Sequence, residues 1–469
     1  MNFIKKISGL ALMSALLFAC SSNDELPNKI EKANTYAGIS IVVPGATATR
    51  ASMGSTWSGR DEISSLNIYL VNSTHNKIDH ESFGLQDFVI TEGVLKPKKA
   101  IKATAGDNIQ AYVVLNGEEE LLSTLKSTTA SQFDQVFEQE IKKKASEVAS
   151  YKNGKETVMM TNSTSPKALT IVGKISKDKA LTGVANRINV TVERVVARAI
   201  VTAKETLKSS VLEVKNNKGE KVNSIKISEV TYAVGQSNSS FYNMKKLNNE
   251  TPNYDGKGVY DNLGLRQVTA VSSLADNTVD NLKKALNAET TSKFVLPVTH
   301  AEENYTKGNT TFFEVRAKFA PESVLADTQE AYTTGDLYLG MEDGLFYSTE
   351  DAAHKAVKGG QSVRTYKDGI MKYVLWLNPN QVPGTEGNKT KTSPTLRNQV
   401  YHVHITGFKE IGLPYNPLNP DEEKPSEKDP GNPIDPTDPL EMDKTYLSVE
   451  INVLDWGLNS YELNVGNDY

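Results

Sequence analysis

"TYLSVEINVLDWGLNSYELNV", residues 445–465, decides how the rest of the chain is read. Leu447, Val449, Ile451 and Val453 alternate with Ser448, Glu450, Asn452 and Leu454, the period-two pattern of a half-buried strand. After the turn-prone "DWGLNS", which contains Trp456, the residues Tyr461, Leu463 and Val465 alternate with Glu462 and Asn464. Two terminal strands are therefore expected. They follow "PYNPLNPDEEKPSEKDPGNPIDPTDP", residues 414–439, with eight prolines in 26 residues. Proline fixes φ and withholds a donor, so this stretch is expected to stay out of sheets and run extended, reaching about 80 Å. The few residues beyond such a tether cannot make a domain; their apolar faces must pair with something already folded.

Working outward, most of the chain reads as short strands. "ISSLNIYLVN" (63–72), "DNIQAYVVLNG" (107–117) and "INVTVERVVARAIVTA" (188–203) fill the first half. "KVNSIKISEVTYAVG" (221–235), "NTTFFEVRAKFAP" (309–321), "MKYVLWLNP" (371–379) and "VYHVHITGFKEIG" (400–412) fill the second. Asp343-Gly344 and Asp368-Gly369 are hairpin signals. "SQFDQVFEQEIKKKASEV" (131–148) and "DNTVDNLKKALN" (276–287) carry helical periodicity, the second through Val279, Leu282, Ala285 and Leu286. The expected fold is mainly β: two β-sandwich domains, transthyretin-like in kind, with short helical insertions. The expected divisions are a signal peptide (1–20), a propeptide (21–50), sandwich domains at 51–205 and 206–413, a proline-rich linker (414–443) and a donor segment (444–469).

The opposite end explains the tail. Lys5 and Lys6 precede an apolar run, Leu10 to Phe18, too short to anchor in a bilayer, and this is the layout of an export signal. Leu17, Ala19 and Cys20 resemble a bacterial lipobox, whose cysteine takes a diacylglycerol. Cys20 is the chain's one cysteine, so no intrachain disulfide is available. In "YAGISIVV" (36–43), Ala37, Ile39, Ile41 and Val43 share one face of a strand. "PGATATR" then ends at Arg50 in a small-residue loop expected to be exposed, and a trypsin-like protease cutting there would free one whole strand with the lipid anchor. Arg60 in "TWSGRDE" is the other candidate.

The formal net charge is −5, and −7 once residues 1–50 are removed, which argues against nucleic acid as a partner. No catalytic motif stands in a credible context, no cofactor is implied, and the six histidines are scattered. His402 and His404 share a strand face but lack the further ligands of a metal site, so packing is the expected role. An enzyme is not expected.

A domain stripped of one strand keeps an apolar groove and unpaired backbone edges, which invite strand addition. The C-terminal strands of a neighbouring copy have the right shape to fill it, and a head-to-tail contact of this kind builds a filament. The other reading is that the tail folds back on its own second half, in whole or in part, before assembly.

The lipobox, "TATRAS" (47–52), "LKPKKAIK" (95–102), "AYVVLNG" (111–117), "VTVERVVARA" (190–199), "LPVTH" (296–300), "KGNTTFFEVRAKFAP" (307–321), "LRNQVYHVHI" (396–405), the proline tether and "LSVEINVLDWGLNSYEL" (447–463) occur in an order and spacing that resemble the shaft subunits of Bacteroidota (type V) fimbriae, above all the fimbrillins of short, or minor, fimbria. The resemblance implies an outer-membrane lipoprotein precursor acylated (diacylglycerol, palmitate) at Cys20. It further implies cleavage after Arg50 by an arginine-specific protease, leaving Ala51 as the mature N-terminus, loss of the strand holding Ile39, Ile41 and Val43, and a donor drawn from residues 445–465. Its implied partners are other copies, anchor and tip accessory subunits, the protease, and receptors on host or bacterial surfaces. Its implied roles are adhesion, biofilm growth and virulence. The alternatives are a tip or accessory subunit, a monomeric lipoprotein binding glycan or host protein, and a lipoprotein hydrolase.

Overall fold

The computed structural model describes residues 34–42, 56–91, 93–378, 392–422, 425, 427–429, 434–440 and 447–456. Cys20, Val43, Arg50, Ala51, Tyr461, Leu463 and Val465 lie outside the described residues. The chain runs through β1 (Thr35–Val42), β2 (Thr56–Trp57), β3 (Ser65–Asn72), β4 (Lys77–Gly84), β5 (Phe88–Thr91), β6 (Val94–Pro97), β7 (Ile101–Ala103) and β8 (Gly106–Leu115). Helices α1 (Glu119–Ser127) and α2 (Phe133–Glu138) follow, then β9 (Met160–Asn162), α3 (Lys177–Thr182) and β10 (Arg187–Arg194). Except for β2, these strands make one sheet in the order β4-β3-β8-β9-β10-β1-β6-β5, with β7 also paired to β1. Both faces of the sheet are covered. Leu66, Ile68 and Leu70 pack with Ile39, Ile41, Val113 and Leu115 on one face. Tyr69, Val71, Tyr112 and Val114 pack against Phe133 and Phe137 of α2 and Leu121 and Leu125 of α1 on the other.

Beyond Val195 and Val196 come β11 (Ala197–Lys204), β12 (Val211–Lys215), β13 (Lys221–Gly235), α4 (Val279–Ala288), β14 (Phe312–Pro321), β15 (Ile370–Trp376), β16 (Gln399–Phe408) and β17 (Leu447–Trp456). One sheet runs β2-β17-β16-β11 and a second runs β12-β13-β14-β15. They stack face to face: Ala199, Val201, Tyr401 and Val403 meet Ile227, Tyr232, Phe313, Val315 and Tyr373. The fold is mainly β.

The helical pattern around Val279 is met by α4, which buries Leu282, Ala285 and Leu286. Residues 131–148 behave differently from expectation. They break into α2, a two-residue strand and a short turn of helix at Ala145–Val148, because Glu140–Ile141 pairs with Phe241–Tyr242 and tertiary pairing overrides helical spacing. "INVTVERVVARAIVTA" is two strands in two sheets, β10 and β11. Asp343-Gly344 joins paired strands, whereas Asp368-Gly369 turns the chain from one sheet into another. The proline-rich stretch is also more tightly held than its composition implies. Lys307 and Gly308 donate to the carbonyls of Asp438 and Pro436 (3.0 and 2.7 Å), and Leu440 donates to that of Tyr305 (3.1 Å). Proline lacks a donor but keeps its acceptor, and the Pro436 carbonyl is used in this way.

Candidate functional site: the seats of two terminal strands

β1 is an interior strand. It pairs in parallel with β10 from Gly38↔Arg187 to Val42↔Thr191, and antiparallel with β6 and β7 on its other edge. Alternation sends Ala37, Ile39 and Ile41 into the core, each 3 % exposed or less. Burying an isoleucine contributes about 2–3 kcal/mol, so this strand is a principal part of its sheet. Its N-terminal end is polar: Thr35 Oγ1 donates to the Val172 carbonyl and accepts from the Ile175 amide (both 2.9 Å), and Asn186 Nδ2 donates to the Tyr36 carbonyl (3.0 Å). Gly38 lies against α3, where an added Cβ would overlap the Ala180 carbonyl oxygen. β1 precedes Arg50 in sequence and β2 follows it.

β17 folds back on its own chain. It pairs antiparallel with β16 from Gln399↔Asp455 to Phe408↔Leu447, with a bulge between Ile405 and Gly407. On its other edge only Asp455 and Trp456 are paired, with Thr56 and Trp57 of β2. β17 is thus nearly an edge strand whose end is pinned. The pin is Trp456, buried between Trp57 (centroids 5.8 Å apart, 26° between planes) and Phe294 (6.1 Å, 11°). The Arg194 guanidinium lies 4.2 Å over the indole and donates to the Trp456 carbonyl (2.6 Å), and Trp456 N donates to the Asn398 carbonyl (3.3 Å). Trp456 Nε1 is buried without a hydrogen-bond partner. Gly59, at φ 78°, passes so close that a Cβ there would strike this nitrogen and the Asp61 carboxylate. Val449 packs at the edge of the sandwich core; the side chains of Leu447, Ile451 and Val453 are outside the description.

The two seats share β10: residues 187–191 flank β1, and Arg194 at its end holds Trp456. Arg194 is itself paired with the buried Asp61 (Nε to Oδ1 3.0 Å), whose carboxyl burial pushes above its usual range against the pull of Arg194. Arg60 is 8 % exposed. It donates to the Glu289 carbonyl (2.7 Å), Glu156 Oε1 (3.0 Å) and Ser292 Oγ (3.1 Å). Burial opposes ionisation of Glu156, but Arg198 and Arg60 beside it hold its carboxyl below the usual value. The folded structure therefore withholds Arg60 from a protease, a correction to the expectation of a second accessible site. His402 and His404 are buried and flank Thr202 Oγ1 at 2.7 and 2.8 Å; burial, then His404, lowers the His402 pKa to about 3. Both rings are packing groups. Among the described residues no cluster of three or more His, Cys, Asp or Glu is placed to hold a metal, and no helix is long and apolar enough to cross a membrane.

Trp57, Arg194, Phe294, Asn398 and Ala180 were not legible as site residues. The one usable signal is that Arg194 and Arg198 flank the apolar run Val195–Ala197, where charges demand buried partners.

The fold is mainly β, and its first and last described strands each occupy a discrete seat. Residues 364–462 match the family described as major fimbrial subunit protein type IV, fimbrillin, C-terminal. The chain is 27 % identical to the minor fimbrium subunit Mfa1 of Porphyromonas gingivalis, over 97 % of this chain and 98 % of that protein. Among solved structures, a fimbrilin from Porphyromonas gingivalis W83 aligns over 91 % of this chain and 99 % of its own, with a TM-score of 0.43 and 14 % identity. The tip fimbrial protein Mfa3 from the same species covers 90 and 100 %, with a TM-score of 0.42 and 11 % identity. Residues 364–462 are thus similar to the fimbrillin C-terminal family, and the chain along nearly its whole length is homologous to a minor fimbrium subunit.

Proposed function

We propose that this chain is a shaft subunit that polymerises head to tail by strand replacement. The precursor reaches the outer membrane as a lipoprotein acylated at Cys20. An arginine-specific protease cuts between Arg50 and Ala51. The severed β1, with Ile39 and Ile41 (and Val43 next to it in sequence), leaves its sheet, and a segment from residues 445–465 of another copy takes its seat. The subunit has no enzymatic role; it extends a fibre that joins anchor and tip accessory subunits and supports adhesion and biofilm growth.

The observation that carries this reading is the placing of β1, an interior strand of a two-edged seat supplied by sequence wholly before Arg50. Cutting the 43–55 connection leaves β1 held by non-covalent contacts alone, and its loss exposes two strand edges and an apolar groove. The buried position of Arg60 supports Arg50 as the cut. The test is to treat purified precursor with an arginine-specific protease. SDS-resistant ladders whose subunits begin at Ala51 are expected, and none from Arg50→Ala or from a chain lacking 445–469. Fibres whose subunits retain residues 21–50 refute the reading.

A further inference from the structure

The β1 seat carries a steric rule. At the Gly38 rung the Ala180 carbonyl fills the space of a side chain. Helix α3 is not free to yield. Ser176 caps its start, the Gly183 amide closes its end on the Lys179 carbonyl, and Arg187, the residue opposite Gly38, donates to the carbonyls of Leu181 (2.8 Å) and Gly183 (3.4 Å). A strand replacing β1 must therefore present glycine at this rung and apolar side chains at the rungs of Ile39 and Ile41.

β17 is a poor source of that strand, because it is already paired along β16 and pinned through Trp456. The sequence after it, "GLNSYELNVGNDY" (457–469), holds two glycines. Gly457 on the rung would drag Trp456 out of its seat. Gly466 on the rung leaves two directions. Running as β1 does, it places Asn467 on the Ile39 seat and Tyr469 on the Ile41 seat, so neither isoleucine rung receives an aliphatic side chain. Running the opposite way, it places Val465 at Ile39, Leu463 at Ile41 and Tyr461 at Val43. Asn464 then meets the Ser40 rung, Asn467 takes the Ala37 rung, and Asp468 and Tyr469 arrive at the polar end that Tyr36 and Thr35 vacate, so both isoleucine rungs receive aliphatic side chains.

We propose that the occupant of the emptied seat is residues 461–466 of a second copy, antiparallel to β10, with Gly466 beneath the Ala180 carbonyl. This rests on the strand-replacement reading and specifies its donor, direction and register. β10 pairs Asn189 with Ser40, so in a fibre Asn189 faces Asn464. The cleaved chain has no native cysteine, so engineered pairs report cleanly. Oxidised fibres of N189C/N464C are expected to give covalent ladders that survive boiling in SDS and vanish with reductant. Fibres of N189C/D468C, the pair that the opposite direction would bring together, should remain at the level of N189C alone. Gly466→Val should stop assembly and Gly457→Val should not. Cross-linking through D468C, or fibres from a chain lacking 457–469, overturns the register. If cleaved wild-type chain yields no fibres at all, the failure lies with strand replacement itself.

Discussion

Replacing Trp456 with alanine tests whether the C-terminal strand is pinned as described. The indole is buried between Trp57 and Phe294 and beneath Arg194. Truncating a buried tryptophan costs about 3–5 kcal/mol. β17 has one full neighbour, so it can detach without unfolding the sandwich, and the cost appears first as local opening. Hydrogen exchange of the precursor reads this directly. Amides in β16 bonded to β17 should exchange about 10²–10³-fold faster in Trp456→Ala, while β13 and β14 amides keep their protection. Trp456→Phe keeps an aromatic ring between its neighbours and removes the unpartnered Nε1, so it should lose far less. Unchanged exchange along residues 399–408 in the alanine variant would refute the pin.

Gly38→Val should destabilise the precursor by about 1–3 kcal/mol in urea unfolding, through overpacking against Ala180, and leave finished fibres unaffected because they lack β1. Arg60→Ala strips one partner from the buried Glu156 and should lower the urea midpoint by an amount worth about 3 kcal/mol, with Ala51 still the mature N-terminus by Edman sequencing. His402 has a folded pKa of about 3 against roughly 6.5 unfolded, so only the unfolded chain binds its proton between these values. Stability is therefore full above pH 6.5 and falls towards pH 3, by about 2 kcal/mol at pH 5. His402→Asn should remove that share of the slope in unfolding titrations. Deleting two residues from 457–460 should stop ladder formation, whereas inserting four Gly/Ser residues there should not.

What could be read from the sequence was what repeats locally. The alternation in 36–42 and 447–453 and the 3.6-residue period of α4 each reflect one buried face, and the structure has strands and a helix there. Helix α1 escaped notice although Leu121 and Leu125 share a face, because its cap is Glu118, whose carboxylate takes the amides of Glu120 and Leu121 where a Ser or Asp would be sought. The Trp456 seat has no linear signature. Its parts come from residues 57, 194, 294 and 398, joined only by the way the sheets stack. Arg60 misleads for a related reason. "TWSGRDE" has the composition of a solvated loop, yet the buried carboxylates of Glu156 and Glu289 gather around Arg198 of β11, and Glu156 also pairs with Arg60.

The contrast between the two end strands bears on the geometry of a fibre. β1 has neighbours on both edges, so a subunit without it is incomplete until something fills the gap. β17 has one full neighbour and a pinned end, so it is held to its own subunit. The proline stretch adds no reach, since the contacts of residues 436–440 with Tyr305, Lys307 and Gly308 hold it to the same subunit. The span between pin and donor is then five residue steps, from 456 to 461, at most about 18 Å when extended. Two fewer residues leave about 11 Å. A fibre built this way brings the β1 seat of one copy to within 18 Å of the Trp456 pin of the next. Trp456 is itself stacked on Trp57, which follows Ala51 by six residues in sequence, so the pin joins the last described strand to the segment just after the proposed cut.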